Sequence, residues 1–297
     1  MSTELRLKRT ELEKMSLTQI VDDDRVKKRF VSLYNARTNR SDGAKFYDLT
    51  VESFIRTITE SEELRKCTAL SLYSAFIDMA HFGINVAKNP QPLGYLLWDN
   101  VKVSGGQDNP VYERRARLEI SPYGEIAIHQ NMSQIKYADN PVIVYEDDEY
   151  EEYLKEGKKC IDYRKNFNSK SHKIKAAFLK IVRSDDSVDF ATIDMRQVER
   201  LKGYSERKNR GAANKLYTSN DGQPDEGFLT AKLIKHAFKS YPRIPKATMS
   251  AATFVTDKVE EDVEDTDDIY GVEDEKVETV EVQEVKLTNS AKQIDMF

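Results

Sequence analysis

The sequence predicts an α+β protein: a small, mostly antiparallel sheet flanked by helices, followed by a disordered acidic tail. Three observations predict it. Apolar residues recur at helical spacing through the first eighty residues. Short alternating or apolar runs bounded by Gly, Pro, Asn or Asp follow, without the strict alternation of strand and helix that marks a parallel sheet. From Asp257 onward acidic residues alternate with Val and Thr, and aromatic residues almost vanish.

The elements follow in order. Residues 1–40 read as polar helix with a spaced apolar set at Val21, Val26, Phe30, Val31 and Leu33. Asp22, Asp23 and Asp24 suit a helix start by capping and by the helix dipole. After a loop at Asn39–Gly43, a second helix is expected from Thr50, with Val51, Phe54, Ile55 and Ile58 on one face. The clearest helix spans Ser71–Phe82 and stops at Gly83, the residue that best tolerates a left-handed C-terminal position. Strands are expected at Gly94–Trp98, Glu113–Ser121, Lys173–Arg183 and Ser187–Asp194. Pro122-Tyr123-Gly124 reads as a turn into a helix near Glu125–Met132. Helices are expected again at Met195–Lys202 and Phe228–Ser240. The acid run at Asp147, Asp148, Glu149, Glu151 and Glu152 reads as a solvated loop or a salt-bridge strip for a neighbouring subunit.

Charge divides the chain. The net charge of −5 averages a 1–256 body of +6 and a tail of −11. Charged residues make up 33% of the chain, against about 25% in an average domain. A basic body joined to an acidic tail points to nucleic-acid partners. The tail cannot bury enough apolar surface to offset its conformational entropy, so it is expected to be disordered. Cys67 and Cys160 stand in no metal-ligand spacing and suit a reducing compartment. The first twenty residues are charged throughout, and no apolar run reaches the roughly 20 residues of a membrane span. A soluble cytoplasmic protein, with no membrane association, is expected.

Motifs for catalysis are missing. There is no GxxxxGK[ST] loop, no HExxH and no GxSxG elbow, and His81, His129, His172 and His236 show no ligand-like pairing. A two-metal nuclease needs separated carboxylates, for which Asp189 and Asp194 are the nearest candidates. The expectation is a non-enzyme without cofactor or metal.

Basic residues form three clusters with no local acids to offset them. Arg114, Arg115 and Arg117 lie on an expected strand, whose alternation puts Arg115 and Arg117 on one face. Lys202, Arg207, Lys208, Arg210 and Lys215 surround Tyr204 and Tyr217 in a loop rich in Gly and Asn. Lys232, Lys235 and Lys239 are spaced to line one face of a helix, with Leu229, Leu233, Ala237 and Phe238 opposite. Lysines and tyrosines without a base-reading motif fit backbone neutralisation and stacking, hence single strands with little sequence preference.

Several segments, in order, resemble the RecT family of phage-type single-strand annealing proteins. Val26-Lys27-Lys28-Arg29-Phe30 is similar to the family's N-terminal helix. Lys66–Ser71 with the helix to Phe82-Gly83-Ile84, and then Leu93-Gly94-Tyr95-Leu96-Leu97, are similar to its next helix and glycine-led strand. Residues 116–134, ARLEISPYGEIAIHQNMSQ, look like its strand, Tyr-x-Gly turn and helix. Met195–Glu199, Tyr204-Ser205 and Ala231–Tyr241 occupy the matching later positions, so the likeness spans roughly residues 20–245. It implies ATP-independent pairing of complementary strands by a ring or helical homo-oligomer, in phage-type recombination. Single-stranded DNA would lie in a basic groove with its bases free to pair, and the annealed duplex would be a partner as well. It further implies an N-terminal helical oligomerisation region at 1–49, an annealing core at 50–250 and the tail at 251–297. Tyr123, Gly124, Lys136, Lys173, Lys175, Lys232, Lys235 and Lys239 are the implied DNA contacts. One departure is visible: relatives have adjacent lysines where this chain has Thr230-Ala231, and a one-residue slip turns a contact by about 100° around the helix. Two other readings compete with annealing, a phage-encoded metal-dependent nuclease and a scaffolding protein that does not bind DNA.

The last five residues, Gln293-Ile294-Asp295-Met296-Phe297, resemble the peptide that docks bacterial proteins on the replicative sliding clamp. Gln293 would hydrogen-bond a small pocket, and Ile294, Met296 and Phe297 would supply the apolar anchors. The acidic tail of the single-strand binding protein, which also ends in Phe, is the competing likeness.

Overall fold

The computed structural model describes residues 7–88, 91–104, 110–209 and 211–241. The expected tail, with Gln293, Ile294, Met296 and Phe297, lies outside the described residues, as does Arg210. The elements run as two short helices, α1 (Arg9–Leu12) and α2 (Leu17–Asp22), then α3 (Asp24–Thr38), α4 (Gly43–Glu60), α5 (Glu62–Arg65) and α6 (Ala69–Phe82). A hairpin follows, β1 (Gly94–Ser104) with β2 (Val111–Ile120), then α7 (Pro122–Asn131), β3 (Ile135–Ala138), β4 (Val142–Tyr145), β5 (Glu149–Lys155) and β6 (Lys158–Arg164). The last are β7 (Ile174–Arg183), β8 (Val188–Asp194), α8 (Met195–Lys208), a 3₁₀ turn at Lys215–Tyr217, and α9 (Glu226–Phe238). Helices around small antiparallel sheets make this an α+β fold.

The helical layer forms for local reasons. Ser16 and Gln19 close a capping box on α2, and the Asp23 side chain accepts from the Arg25 N–H at the start of α3. Helix α3 ends at Asn39 and α6 at Gly83, both with left-handed backbone (φ 54° and 65°). The helices bury one aromatic cluster. The Phe76 ring lies 4.8 Å from Phe30, 4.9 Å from Phe54 and 5.8 Å from Tyr47. Helix α4 begins at Gly43 rather than Thr50, because Gly43 packs against α3: its N–H donates to Asn35 Oδ1 at 2.9 Å.

Strand β7 organises the second core. Strand β8 pairs along one edge; β3 and β4 share the other, pairing its C-terminal and N-terminal halves. Ala177, Leu179 and Ile181 meet Leu229, Leu233 and Ile234 of α9 on one face. Ala176 and Phe178 point to the other, as strand alternation requires. There Phe178 meets Tyr163 and Tyr150 at the base of the separate β5–β6 ribbon, at 5.4 Å and 6.1 Å. The acid run expected to be a solvated loop is therefore largely strand. Asp148 is buried just before it, accepting from the backbone N–H groups of Tyr145 and Asn166 and from the Tyr163 hydroxyl.

Candidate nucleic-acid interface

The arginines of β2 and the lysines of α9 acquire neighbours from other elements as well as from their own stretch of sequence. On β2, Arg114 lies 4.4 Å above the Trp98 ring and bonds Glu63 of α5. Arg115 pairs Glu113 at 3.3 Å. Arg117 sits between Asp99 at 2.7 Å and Glu119 at 2.5 Å. Acids therefore offset this cluster, contrary to expectation: Glu113 and Glu119 lie on the same strand, Glu63 comes from α5, and antiparallel pairing with β1 brings Asp99 opposite Arg115 and beside Arg117.

The turn after β2 is built for close packing. The Ser121 hydroxyl accepts from the Gly124 N–H at 3.0 Å and caps α7. Gly124 is buried, and a Cβ there would stand 2.0 Å from the Leu93 carbonyl oxygen. Its glycine is accounted for by that approach, and its N–H already donates to Ser121. Tyr123 is half-buried against the core of α9 and the sheet.

Helix α9 corrects the expected open row of lysines. Lys232 is 8% exposed, with its Nζ 5.0 Å from the Phe228 ring. Lys235 donates to Glu119 at 3.0 Å, both side chains more than four-fifths buried. Lys239 is exposed. Helical spacing does align the three residues, but α9 is covered by α7, β4, β7 and β8, which leaves little of its circumference free. Glu119 takes Arg117 on one oxygen and Lys235 on the other, tying the β1–β2 hairpin to α9.

Lys136, Lys173, Lys175 and Arg207 are exposed. Lys136 on β3 pairs with Asp186. Lys173 falls one residue before β7 and pairs Glu146 at 3.0 Å. Lys175 is on β7, 5.7 Å from the Tyr150 ring. Arg207 lies 4.5 Å over Tyr204. Arg207 and Lys208 belong to the last turn of α8 rather than to the expected loop, because the Asp194–Gln197 capping box starts a helix that runs to Lys208.

Sequence reasoning missed one feature. A cleft of about 840 Å³ lies between the β5–β6 ribbon and the β8–α8 junction, lined by Tyr150, Glu152, Lys159, Lys175, Arg196 and Arg200 among others. Lys159 donates to Thr192 at 2.7 Å and pairs Glu152 at 2.8 Å. The Tyr150 hydroxyl donates to Glu152 at 3.0 Å, and burial with that carboxylate pushes its pKa up. Arg196 pairs Asp194 at 3.5 Å with a side chain 95% exposed. Of these residues only Lys175 was expected, since the others come from elements far apart in sequence. A local signal did exist: Glu156-Gly157, both at positive φ, forms a two-residue hairpin turn between Lys155 and Lys158.

Among the described residues no group of three or more His, Cys, Asp or Glu could hold a metal ion, and no helix is long and apolar enough to cross a membrane. The family model described as the RecT family matches residues 50–223, more than half of the chain. No curated protein matches the chain.

Proposed function

The chain belongs to the RecT family, and from that premise we propose that its body binds single-stranded DNA and pairs complementary strands without ATP. The family match carries the reading: it spans the β1–β2 hairpin, the Ser121–Gly124 turn, the ribbon and α8 as one continuous order. Exposed cations on several elements support it. We assign strand contacts to Lys136, Lys173, Lys175, Arg207 and Lys239, with Arg115 and Arg117 as contributors weakened by their own carboxylates. Assembly of several copies into a ring or filament, and binding of the annealed duplex, belong to the same proposal, as does docking of the terminal peptide on the sliding clamp.

Titration of an end-labelled oligonucleotide across a salt series tests the DNA reading. Affinity should fall linearly on a log–log scale, with a slope of about −0.7 per neutralised phosphate, and the strands should be recovered intact. Loss of labelled ends on adding a divalent metal would favour a nuclease, and salt-insensitive or absent binding would favour a scaffold. For the docking peptide, Phe297→Ala should abolish capture of the full chain by immobilised clamp; unchanged capture removes that role.

A further inference from the structure

The two faces of the β5–β6 ribbon differ in what covers them. On the inner face Tyr150, Ile161 and Tyr163 pack against Val144, Ala176 and Phe178. The outer face carries four cross-strand pairs from base to tip: Glu149 opposite Arg164, Glu151 opposite Asp162, Tyr153 opposite Cys160, and Lys155 opposite Lys158. All of these residues are exposed except Cys160, which is half-buried.

Two of those rows set like charges side by side. Glu151 and Asp162 form an acidic row, Lys155 and Lys158 a basic one, and the Tyr153–Cys160 row lies between them. Like charges directly opposite on a sheet face are destabilising. Among the described residues none of the four makes an ion pair, and Glu156 in the turn pairs with neither lysine, whereas Glu149 and Arg164 pair at 3.7 Å. The pattern is complementary to itself. A two-fold axis across the strands, over the Tyr153–Cys160 row and midway between two copies, sets the acidic row of each against the basic row of the other. An axis along the strands would set acid on acid and lysine on lysine, so charge selects the first.

We propose that the outer face of the β5–β6 ribbon is an isologous contact between two copies of this chain. Four lysine–carboxylate pairs surround a centre where Tyr153 meets the partner's Tyr153 and Cys160 the partner's Cys160. The face is small: the seven residues of β5 span about 24 Å at about 3.4 Å each. With only two strands across, it falls well short of the roughly 800 Å² per partner of a stable complex. The contact is therefore transient and salt-sensitive. It goes beyond the DNA-binding reading and beyond growth of a ring or filament, neither of which requires a two-fold contact, and it needs no DNA.

Cross-linking of the full chain without DNA tests it. Sheets packed face to face stand about 10 Å apart, too far for a disulfide, whose Cα atoms lie about 4.4–6.8 Å apart, but within reach of a short bis-maleimide. Cys67 is buried, so Cys160 is the thiol that reports. Wild type should give covalent dimers at low salt, lost at about 1 M salt and absent from Cys160→Ser. Glu151→Lys with Asp162→Lys, and separately Lys155→Glu with Lys158→Glu, should each lower the yield about tenfold or more, as four exposed pairs turn repulsive. Mixed one to one, with a size tag on one chain, the two variants should recover mixed dimers, because an all-basic face then meets an all-acidic one. Misfolding could not be rescued in this way. Should thermal melts show a reversed chain unfolded, Glu151→Gln with Asp162→Asn, which only removes charge, should also lower the yield. Wild type without dimers, variants that cross-link as wild type does, or a mixture of folded variants that recovers nothing would each overturn the contact and leave the DNA-binding reading standing.

Discussion

At the scale of single residues, Gly124 and Lys232 show how far side-chain type alone can be trusted. A glycine in a strand–turn–helix passage signals a backbone requirement, and the requirement here is the Leu93 carbonyl lying where a Cβ would be. Backbone cannot move aside as a flexible side chain could. Gly124→Ala should therefore cost about 1–3 kcal/mol, read as a lower urea midpoint with an unchanged m-value; an unaffected midpoint would mean that the α7 start shifts freely. Lys232 misleads in the opposite direction. Its spacing matches an exposed stripe, yet the side chain is covered beside Phe228. Nothing within residues 226–241 reveals that cover, because it comes from other parts of the fold. The same holds for Arg117, whose partner Asp99 is eighteen positions away in sequence and adjacent only after the hairpin pairs.

At the scale of elements, legibility followed the locality of the signal. Helix α6 is readable because its apolar spacing, the Thr68 cap and the Gly83 stop lie within sixteen residues. Strand β7 is readable because burial makes its apolar run nearly continuous, and β8 because Val188, Phe190 and Thr192 alternate with other residues in a short β-branched run. The β5–β6 ribbon was not, since most of its residues are exposed and strongly charged, and such a stretch gives no hydrophobic alternation to detect. Missing the ribbon hid the cleft, one wall of which the ribbon provides. The length of α8 was underread for a related reason. Lys202, Arg207 and Lys208 draw attention as a basic cluster, while the burial of Val198 and Ser205 that holds the helix in place depends on tertiary packing. Glu119 acts at this scale too: by joining Arg117 of the hairpin to Lys235 of α9 it fixes how β2 and the C-terminal helix meet.

At the scale of the whole molecule, the charge separation visible in composition and the order of family-like segments carried more than any single motif. The match over residues 50–223 takes in elements that are individually ordinary: a hairpin, a capped turn, a ribbon and an amphipathic helix. Exposed cations on β3, β7, α8 and the end of α9 are among those the body presents; on the proposed function they neutralise a phosphate backbone rather than read base edges. Pairing of complementary strands by this body is read by mixing two complementary oligonucleotides, one carrying a donor dye and the other an acceptor, with the full chain in the absence of ATP, and following energy transfer against the spontaneous rate. Pairing should run well above the spontaneous rate, be suppressed by high salt and leave both strands at full length. Pairing at the spontaneous rate across the whole salt range would contradict it.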